Sequence, residues 1–370
     1  MKIIHLSDLH LGKKLNNFSL IDDQKYILDQ IADIADQQKP DVVIIAGDVY
    51  DKSVPNAQAV SLFDDFLFRL AERKLKIFVI SGNHDSADRI SFGSRIMKNS
   101  GVYFSPVYNG KLSHVELSDE YGKVNFYMLP FIRPSSAREY FDEVKDYTDA
   151  VNKTIDSTPI DFSERNIIIA HQFVTGAELS DSEVMVGGIE NVDPSAFDGF
   201  DYVALGHIHR PQNIVKNRMR YCGTPLKYSF SEVNHKKSVT VVEVGEKGSI
   251  QTGTVPLSPL HEMREIRGTF KEVYRSEKSS DYVRIILTDE NPVPDALGKL
   301  RTVFENMMIL EYDNKRTRLE TFLSTPDTAK AESPAEIFNN FYKERNGDFM
   351  NGEQFEYINK LISEIWEEEK

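Results

Sequence analysis

The chain has 370 residues, 40% of them hydrophobic and 28% charged, a composition typical of a globular protein long enough for more than one domain. Its net charge of −14 argues against a protein that coats nucleic acids nonspecifically. The single cysteine excludes an intrachain disulfide. The sequence contains no signal-peptide pattern and no run near the ~20 apolar residues of a membrane span, so we expect a soluble, cytoplasmic protein.

The first half of the chain alternates short apolar runs with amphipathic segments. The apolar runs predict buried strands over residues 2–7, 41–46 and 76–81. Apolar stripes at helical spacing predict helices over 19–38 and 55–71 between them. Strands that alternate with helices predict parallel pairing in an α/β fold.

Strand-like runs continue to about residue 260, and the chain then changes character. The further strands are predicted over 124–129, 166–170, 202–205, 238–244 and 250–255, which gives a sheet sandwich with helices outside. Residues 261–325 predict a small α+β domain, with strands over 282–287 and 307–312 and a helix over 294–305. The polar, turn-rich segment 326–332 predicts a linker.

Residues 333–370 predict a pair of helices after the linker. Ser333-Pro334-Ala335-Glu336 is a capping box with proline at the first helical position, and the second helix is predicted to begin near Asn351. Both helices have an apolar, aromatic-rich face, which comprises Ile337, Phe338, Phe341, Tyr342, Phe355, Ile358, Leu361, Ile362, Ile365 and Trp366. This face either packs on its own domain or docks on a partner protein, and we favour the partner.

Polar side chains form five short islands, each at the end of an apolar run. The islands are Asp8-Leu9-His10, Gly47-Asp48, Gly82-Asn83-His84-Asp85, His171, and Gly206-His207-Ile208-His209. In open α/β sheets this edge is where ligands bind. Seven oxygen and nitrogen donors result, namely Asp8, His10, Asp48, Asn83, His171, His207 and His209. Such a set suits Mn²⁺, Fe²⁺ or Zn²⁺, and the absence of thiolates disfavours a structural zinc site.

The donor pattern favours two metals over one. Two cations ~3.5–4 Å apart can activate water and clamp a phosphoryl group, and they need a bridging ligand. Asp48, alone after its strand, is the predicted bridge. Asp8 and His10, like His207 and His209, are two residues apart, which in an extended chain places both side chains on one side.

His84 and Asp85 are the predicted catalytic residues. The side chain of His84 is expected to point away from that of Asn83, toward a substrate, where it can protonate a leaving alkoxide. Asp85 is predicted to fix the tautomer of His84 and to hold it cationic.

The motifs DLH, GDVYD, SGNHD, AHQ and GHIH, in this order, resemble those of the calcineurin-like metallophosphoesterase superfamily. The resemblance implies a four-layer β-sandwich with flanking helices over residues 1–260. It implies that one metal is held by Asp8, His10, Asp48 and His209. The other would be held by Asp48, Asn83, His171 and His207, with His84 as the catalytic acid.

Three longer segments narrow this resemblance. They are SGNHDSADRISFGSR (81–95), LGHIHRPQ (205–212) and CGTPLKYSFSEVNHKKS (222–238), and they closely resemble nuclease subunits that bacteria pair with an SMC-like ATPase. The resemblance implies a Mn²⁺-dependent 3′→5′ exonuclease on double-stranded DNA that also cuts hairpins and single strands during DNA repair, recombination and replication. It further implies a capping domain at 261–325, docking of 333–370 on the ATPase, a homodimer through helices of the nuclease core, and a heterotetramer with the ATPase.

A nuclease needs cations that contact the DNA phosphates at its cleft. The candidates are Lys13, Lys14, Arg89, Arg210 and Lys227, each of which could equally be plain solvated surface. One position departs from the family pattern, because archaeal relatives place a histidine where this chain has Asp51. His84 would therefore act without a second histidine.

Two other interpretations stay open at this point. The same fold serves phosphomonoesterases and other phosphodiesterases, although the sequence GDVYDKS lacks the Asp-Arg-Gly expected of protein phosphatases after the bridging aspartate. A non-catalytic scaffold that uses only the terminal helices is disfavoured by the complete ligand set.

Overall fold

The structure is a computed structural model that describes residues 1–180, 191–314, 333–346 and 348–368. Its first sheet has six strands, in the spatial order Ile250–Pro256, Ser238–Val244, Lys2–Leu6, Val42–Ala46, Lys76–Ile80 and Val102–Phe104. The last four pair in parallel, and the first two are antiparallel additions. The parallel pairing predicted for the first half of the chain is confirmed.

The second sheet also has six strands. Their spatial order is Gln212–Val215, Met219–Tyr221, Tyr202–Gly206, Arg165–His171, Gly122–Leu129 and Ser113–Asp119. The four central strands are parallel, and each edge strand pairs antiparallel with its neighbour. Neither edge strand, nor Met219–Tyr221, was predicted from the sequence.

The two large sheets pack face to face, with helices on their outer faces. Ile44 points into the core between the sheets, where it lies with Phe126, while its neighbour Ile45 points to the opposite face. The helices Ile21–Gln38 and Ala57–Glu72 bury their apolar stripes against that face. Because both faces of each central strand are covered, these strands are apolar throughout rather than alternating.

On the other side, helices Pro134–Arg138 and Tyr147–Asp156 cover the second sheet. The result is the predicted four-layer sandwich of helix, sheet, sheet and helix. The remaining short elements among the described residues up to 260 are helices Ala87–Ile90 and Ser94–Met97, 3-10 turns Lys98–Ser100, Pro194–Phe197 and Phe230–Glu232, and two-residue strands Lys14–Leu15, Phe18–Ser19, Phe173–Val174 and Asn191–Val192.

A third sheet follows residue 260. It has three parallel strands, Met263–Gly268, Tyr282–Leu287 and Met307–Tyr312, connected through helices Phe270–Tyr274 and Ala296–Arg301. Its own core forms around Ile285, Leu300 and Phe304. The predicted boundary at residue 260 lies between the strands Ile250–Pro256 and Met263–Gly268, whereas the boundary at 325 and the predicted linker 326–332 lie outside the described residues.

The terminal helices run over Pro334–Asn346 and Gly352–Glu368 and contact each other. The predicted capping box is present, because Ser333 N–H donates to Glu336 Oε2 at 2.6 Å and Glu336 N–H donates to Ser333 Oγ at 3.2 Å. Asn351 and Gln354 form the same reciprocal pair at the second helix. Among the described residues, no helix has the length and apolar character to cross a bilayer.

Candidate metal centre

The five polar islands meet where strands of the two large sheets end. Asp8, Asp48 and Asn83 follow three neighbouring parallel strands of the first sheet, which end at Leu6, Ala46 and Ile80. His171 ends a strand of the second sheet, and His207 directly follows the adjacent strand, which ends at Gly206. Each sheet therefore contributes one side of the site, as the position of the islands predicted.

The backbone at these islands is not extended, so the geometric reason given for the two-residue spacing is wrong. The first strand ends at Leu6, and Asp8 and His10 have φ values of 52° and 45°. Asp48 and His207 also have positive φ, at 47° and 99°. Such conformations are uncommon for residues other than glycine and cluster where function requires a side chain to be held in one direction.

Two glycines allow the polar islands to approach one another closely. A Cβ on Gly206 would lie 1.9 Å from Ala46 O and 2.8 Å from His171 Nδ1, and a Cβ on Gly82 would lie 2.1 Å from Asp48 Oδ1. Any side chain at either position would displace the backbone or a predicted ligand. The glycines of these islands are therefore part of the site and not only turn residues.

Two clusters of donor atoms lie within this convergence. In the first cluster, atoms of Asp8, His10 and His209 all lie within 4.8 Å of one another, and His10 Nε2 is 3.2 Å from His209 Nε2. In the second cluster, Asn83 Oδ1 is 3.1 Å from His171 Nε2 and 3.0 Å from His207 Nδ1.

Asp48 lies between the clusters and faces both. Its Oδ2 is 3.7 Å from His10 Nε2 and 3.4 Å from His171 Nε2. The site is well removed from solvent, since Asp8, His10, Asp48, His171 and His209 are all at most 5% exposed. The structure thus brings all seven predicted donors together, with Asp48 in the position expected of a bridge.

The hydrogen bonds at the rim of the site indicate a cation at its centre. His171 Nδ1 is 2.8 Å from Ala46 O, so a hydrogen lies on Nδ1, and Nε2, the nitrogen that remains to accept, faces the Asp48 carboxylate. Two acceptors that face each other in a buried site repel unless a proton or a metal ion lies between them. The donor set therefore fits a divalent metal, with the second nitrogen of the ligand anchored to the protein.

The electrostatics of the same groups show that the carboxylates attract positive charge, which without a metal is a proton on His171. Burial opposes the charged form of His171, but the carboxylates of Asp48 and Asp8 outweigh it and raise its pKa to about 9. Burial raises the pKa of Asp8, and the nearby Asp48 charge raises it further. Burial and the neighbouring His171 lower the pKa of His207 to about 3, which keeps that ring neutral as a ligand must be.

His84 lies beside this centre, but the predicted role of Asp85 is wrong. The Asp85 carboxylate accepts backbone N–H bonds from Val49, Tyr50 and Gly82 at 2.9–3.0 Å, so it ties two islands together. The Nδ1 atom of His84 instead lies 3.1 Å from the backbone carbonyl oxygen of Asp51. Asp85 turns toward the backbone because those N–H groups at the strand ends would otherwise be unpaired.

Asp48 also holds the backbone of His84, since the His84 N–H donates to Asp48 Oδ1 at 2.9 Å. The His84 ring is exposed and packs edge-on against His10, with ring centroids 4.9 Å apart. A nitrogen of His84 also falls within ligand distance of His10 and Asp48. His84 is thus close enough to act either on a substrate or on a metal.

The sequence analysis missed the residues that support the first cluster. Glu232, Lys237 and Tyr228 all lie behind His209, and the first two are buried charges. All three fall within segment 222–238, whose resemblance to the family was the only sign in the sequence that they support the site. Nothing in the local pattern distinguishes a buried glutamate from the solvated ones around it.

The five basic candidates for DNA contact are dispersed, and the structure gives four of them a protein partner. Lys13 binds Asp51 at 2.8 Å, Arg89 donates to Ser53 O, Arg210 pairs with Glu178, and Lys227 pairs with Glu262 at 2.6 Å. Lys14 is exposed. Lys227 therefore connects the sandwich to Glu262, just before the third sheet, whereas Arg210 directly follows His209 and Lys13 and Lys14 lie shortly after His10.

Comparisons with known proteins agree with this geometry. Residues 1–211 match the calcineurin-like phosphoesterase family, and residues 259–346 match the family described as the type 5 capsule protein repressor C-terminal domain. The SbcD subunit of the nuclease SbcCD from Staphylococcus epidermidis is 34% identical over 100% of both chains. The protein of the same name from Staphylococcus saprophyticus is 31% identical over 100% of this chain and 99% of its own length.

The chain belongs to the SbcD family of calcineurin-like phosphoesterases. The match runs through both halves of the sandwich and the third-sheet module. Members of a phosphoesterase family with this donor set hold divalent metals, and this member of the SbcD family is accordingly a metal-dependent hydrolase.

Proposed function

We propose that this chain is the nuclease subunit of an SbcCD-type complex, which cleaves DNA phosphodiesters with two bound metal ions. It acts as a 3′→5′ exonuclease on double-stranded DNA and as an endonuclease on single strands and hairpins, together with an SbcC-like ATPase in DNA end processing, repair and recombination. The observation that carries the proposal is Asp48, whose Oδ2 atom faces one histidine from each donor cluster. The full-length similarity to two SbcCD nuclease subunits supports it.

The two-ion count rests on the division of the donors. Asp8, His10 and His209 form one set, and Asn83, His171 and His207 form another, with Asp48 between them. Oxygen and imidazole donors without thiolates suit Mn²⁺, which we take as the working metal. Ions bound here would make water nucleophilic at neutral pH and neutralise charge on the phosphoryl oxygens.

The chain itself supplies the proton for the leaving group. A sugar oxygen leaves poorly unless it is protonated, and His84 is the exposed acid beside the donor clusters. Asp51 O accepts the hydrogen on His84 Nδ1, so the proton available for transfer is the one on Nε2. Asp48 fixes the backbone of His84 and thereby the height of the ring above the site.

Substrate choice tests the proposed function against a phosphomonoesterase or another phosphodiesterase on the same fold. We expect purified protein with Mn²⁺ to degrade end-labelled duplex and hairpin DNA and to hydrolyse p-nitrophenyl phosphate poorly. The reverse preference, with brisk monoester hydrolysis and intact duplex, would contradict the proposal. Addition of the SbcC-like ATPase and ATP is expected to raise the rate on duplex ends.

Lys13 and Lys14 are the leading proposed phosphate contacts. Both lie just past the first island, and Lys13 Nζ lies 2.8 Å from Asp51, the residue whose carbonyl orients His84. Arg89 and Arg210 are exposed and stay secondary candidates, while Lys227 is the weakest because its side chain is 13% exposed and ion-paired.

We also propose that the chain forms a homodimer through the short helices that follow Asn83, and that two copies join two ATPase subunits. Phe92 and Ile96 are 82% and 77% exposed, which is costly for large apolar side chains on a monomer surface. Ile96→Glu is expected to convert a dimer to a monomer in light scattering. Leu297→Glu, at a 45% exposed position on another helix, is the control and keeps the dimer. A wild-type monomer, or an Ile96→Glu dimer, would contradict this assignment.

The same proposal divides the chain into three parts. They are a nuclease domain (1–260), a capping domain (261–325) and a partner-docking segment (333–370). The third sheet has a core of its own, which supports a separate capping unit. The exposed aromatic face of the terminal helices supports docking on the ATPase.

A further inference from the structure

Glu232 is a completely buried carboxylate behind the first donor cluster. It ends the 3-10 turn Phe230–Glu232 and is 0% exposed. Its Oε1 lies 3.0 Å from His209 Nδ1, and its Oε2 lies 2.6 Å from Lys237 Nζ. One oxygen of the carboxylate therefore faces an imidazole nitrogen and the other faces an ammonium group.

Lys237 holds the Glu232 carboxylate in place through the oxygen that does not face His209. Its ammonium group donates to Glu232, to His209 O at 2.9 Å and to Thr224 Oγ1 at 2.6 Å. Three acceptors match the three hydrogens of an ammonium group. Glu232 is thus fixed in position and has its Oε1 directed at the imidazole.

A carboxylate oxygen at hydrogen-bond distance from Nδ1, with Lys237 on its other oxygen, determines the tautomer of His209. The hydrogen must lie on Nδ1, which leaves the lone pair on Nε2, the atom that faces His10 Nε2 at 3.2 Å. Tyr228 packs edge-on against both rings, with centroids 5.6 Å from His10 and 6.3 Å from His209, and restricts their rotation. A metal ligand whose second nitrogen is hydrogen-bonded in this way is oriented before the ion arrives.

The second cluster is anchored differently. His171 is oriented by the backbone carbonyl of Ala46, which no side-chain substitution removes. We infer that Glu232, held by Lys237, is a positioning residue that fixes His209 and so sets the affinity of the first metal site independently of the second. The inference rests on the proposed two-metal function but is tested by metal binding alone, so its failure is distinct from a failure to cleave DNA.

The test compares two double variants that both remove the buried ion pair. Glu232→Gln/Lys237→Met keeps an oxygen that can accept from His209 Nδ1, because no lysine competes for the amide oxygen. Glu232→Leu/Lys237→Met has a side chain of similar size without any acceptor. Each chelator-stripped protein is titrated with Mn²⁺ by calorimetry, and Asn83→Ala identifies which binding step belongs to the second cluster.

We expect the Gln double variant to bind Mn²⁺ at the first site within a few-fold of wild type. The Leu double variant should lose about 10–100-fold at that site, the usual effect of removing such an outer hydrogen bond, with the second site unchanged. Equal first-site affinities in the two double variants would overturn the inference. A loss of equal size at both sites in the Leu double variant would also overturn it, because it would indicate a general structural role.

The control is another buried ion pair remote from the centre. Arg165 pairs with Asp119 at 2.6 Å, and it begins the strand that His171 ends, about 20 Å away at the usual rise per residue. Asp119→Asn is expected to bind Mn²⁺ as wild type does at both sites. A first-site loss in this control as large as that of the Leu double variant would overturn the inference, since disturbance of any buried pair would then suffice.

Discussion

Replacing His84 by glutamine is expected to lower kcat for duplex DNA cleavage by about 10²–10⁴-fold, the usual contribution of a general acid. Affinity for Mn²⁺ is expected to stay at the wild-type value. His84 is exposed and anchored through the Asp51 carbonyl, unlike the buried histidines of the two donor clusters. Glutamine cannot donate a transferable proton, so the chemical step loses its acid while the metal ligands remain in place.

The leaving group distinguishes an acid from a ligand. Bis(p-nitrophenyl) phosphate releases a phenolate that needs no protonation, so His84→Gln should impair its hydrolysis far less than that of DNA. His84 also has a nitrogen within ligand distance of His10 and Asp48, so the alternative is a third histidine on the first metal. Weakened Mn²⁺ binding, with equal losses on both substrates, would establish that alternative and contradict the proposed role.

The control for this experiment is a histidine outside the site. His114 lies on the edge strand Ser113–Asp119 and contacts Asn125 at 2.9 Å. His114→Gln is expected to leave cleavage of both substrates at the wild-type rate.

Deleting residues 333–370 is expected to abolish co-purification with an SbcC-like ATPase while Mn²⁺-dependent cleavage of DNA by the isolated chain continues. The donor clusters lie at the strand ends of the two large sheets, and their donors all come from residues 8–209. On those helices Ile337, Phe338 and Phe341 are 57%, 40% and 52% exposed, so a large part of the apolar face is uncovered. Such a surface is typical of a helix that docks into a partner's groove.

A point substitution tests the apolar face of the terminal helices more specifically than the deletion does. Phe341→Glu should weaken ATPase binding strongly, because it buries a charge in the proposed interface, whereas Leu297→Glu on the third-sheet module should not. Normal ATPase binding by the truncated chain would contradict the docking assignment.

The other predicted docking residues are less exposed or outside the described part of the chain. Half-buried are Tyr342, Phe355, Ile358, Leu361 and Ile362, and the side chains of Ile365 and Trp366 lie outside the described part.

The central strands and the site were predictable from the sequence for one reason. Strands such as Val42–Ala46 are covered on both faces, so they are uniformly apolar and stand out from their surroundings. The predicted ligands come just after those strands, so an accurate strand prediction also locates the polar islands. Because parallel strands end at the same edge of a sheet, the convergence of the separate islands can be predicted from local sequence alone.

Other features could not be predicted in this way. The edge strand Ser113–Asp119 alternates half-buried and exposed residues, and Met263–Gly268 is an edge strand of a small sheet with charged residues between its apolar ones, so neither has an apolar run. The left-handed backbone of Asp8 and His10 depends on contacts with the Gly47 and Asp48 carbonyls. Asp85 and Glu232 acquire their roles from backbone groups and side chains distant in sequence, which local spacing does not encode.

The most direct test of the two-metal account is the cleavage of end-labelled duplex DNA by protein first stripped of metal and then titrated with Mn²⁺. The Oδ2 atom of Asp48 faces one histidine of each donor cluster, His10 at 3.7 Å and His171 at 3.4 Å. We predict that the stripped protein is inactive, that activity returns as two ions bind per chain, and that Asp48→Asn recovers neither the second ion nor activity. Full cleavage with one ion per chain, or by Asp48→Asn at the wild-type rate, would contradict the account.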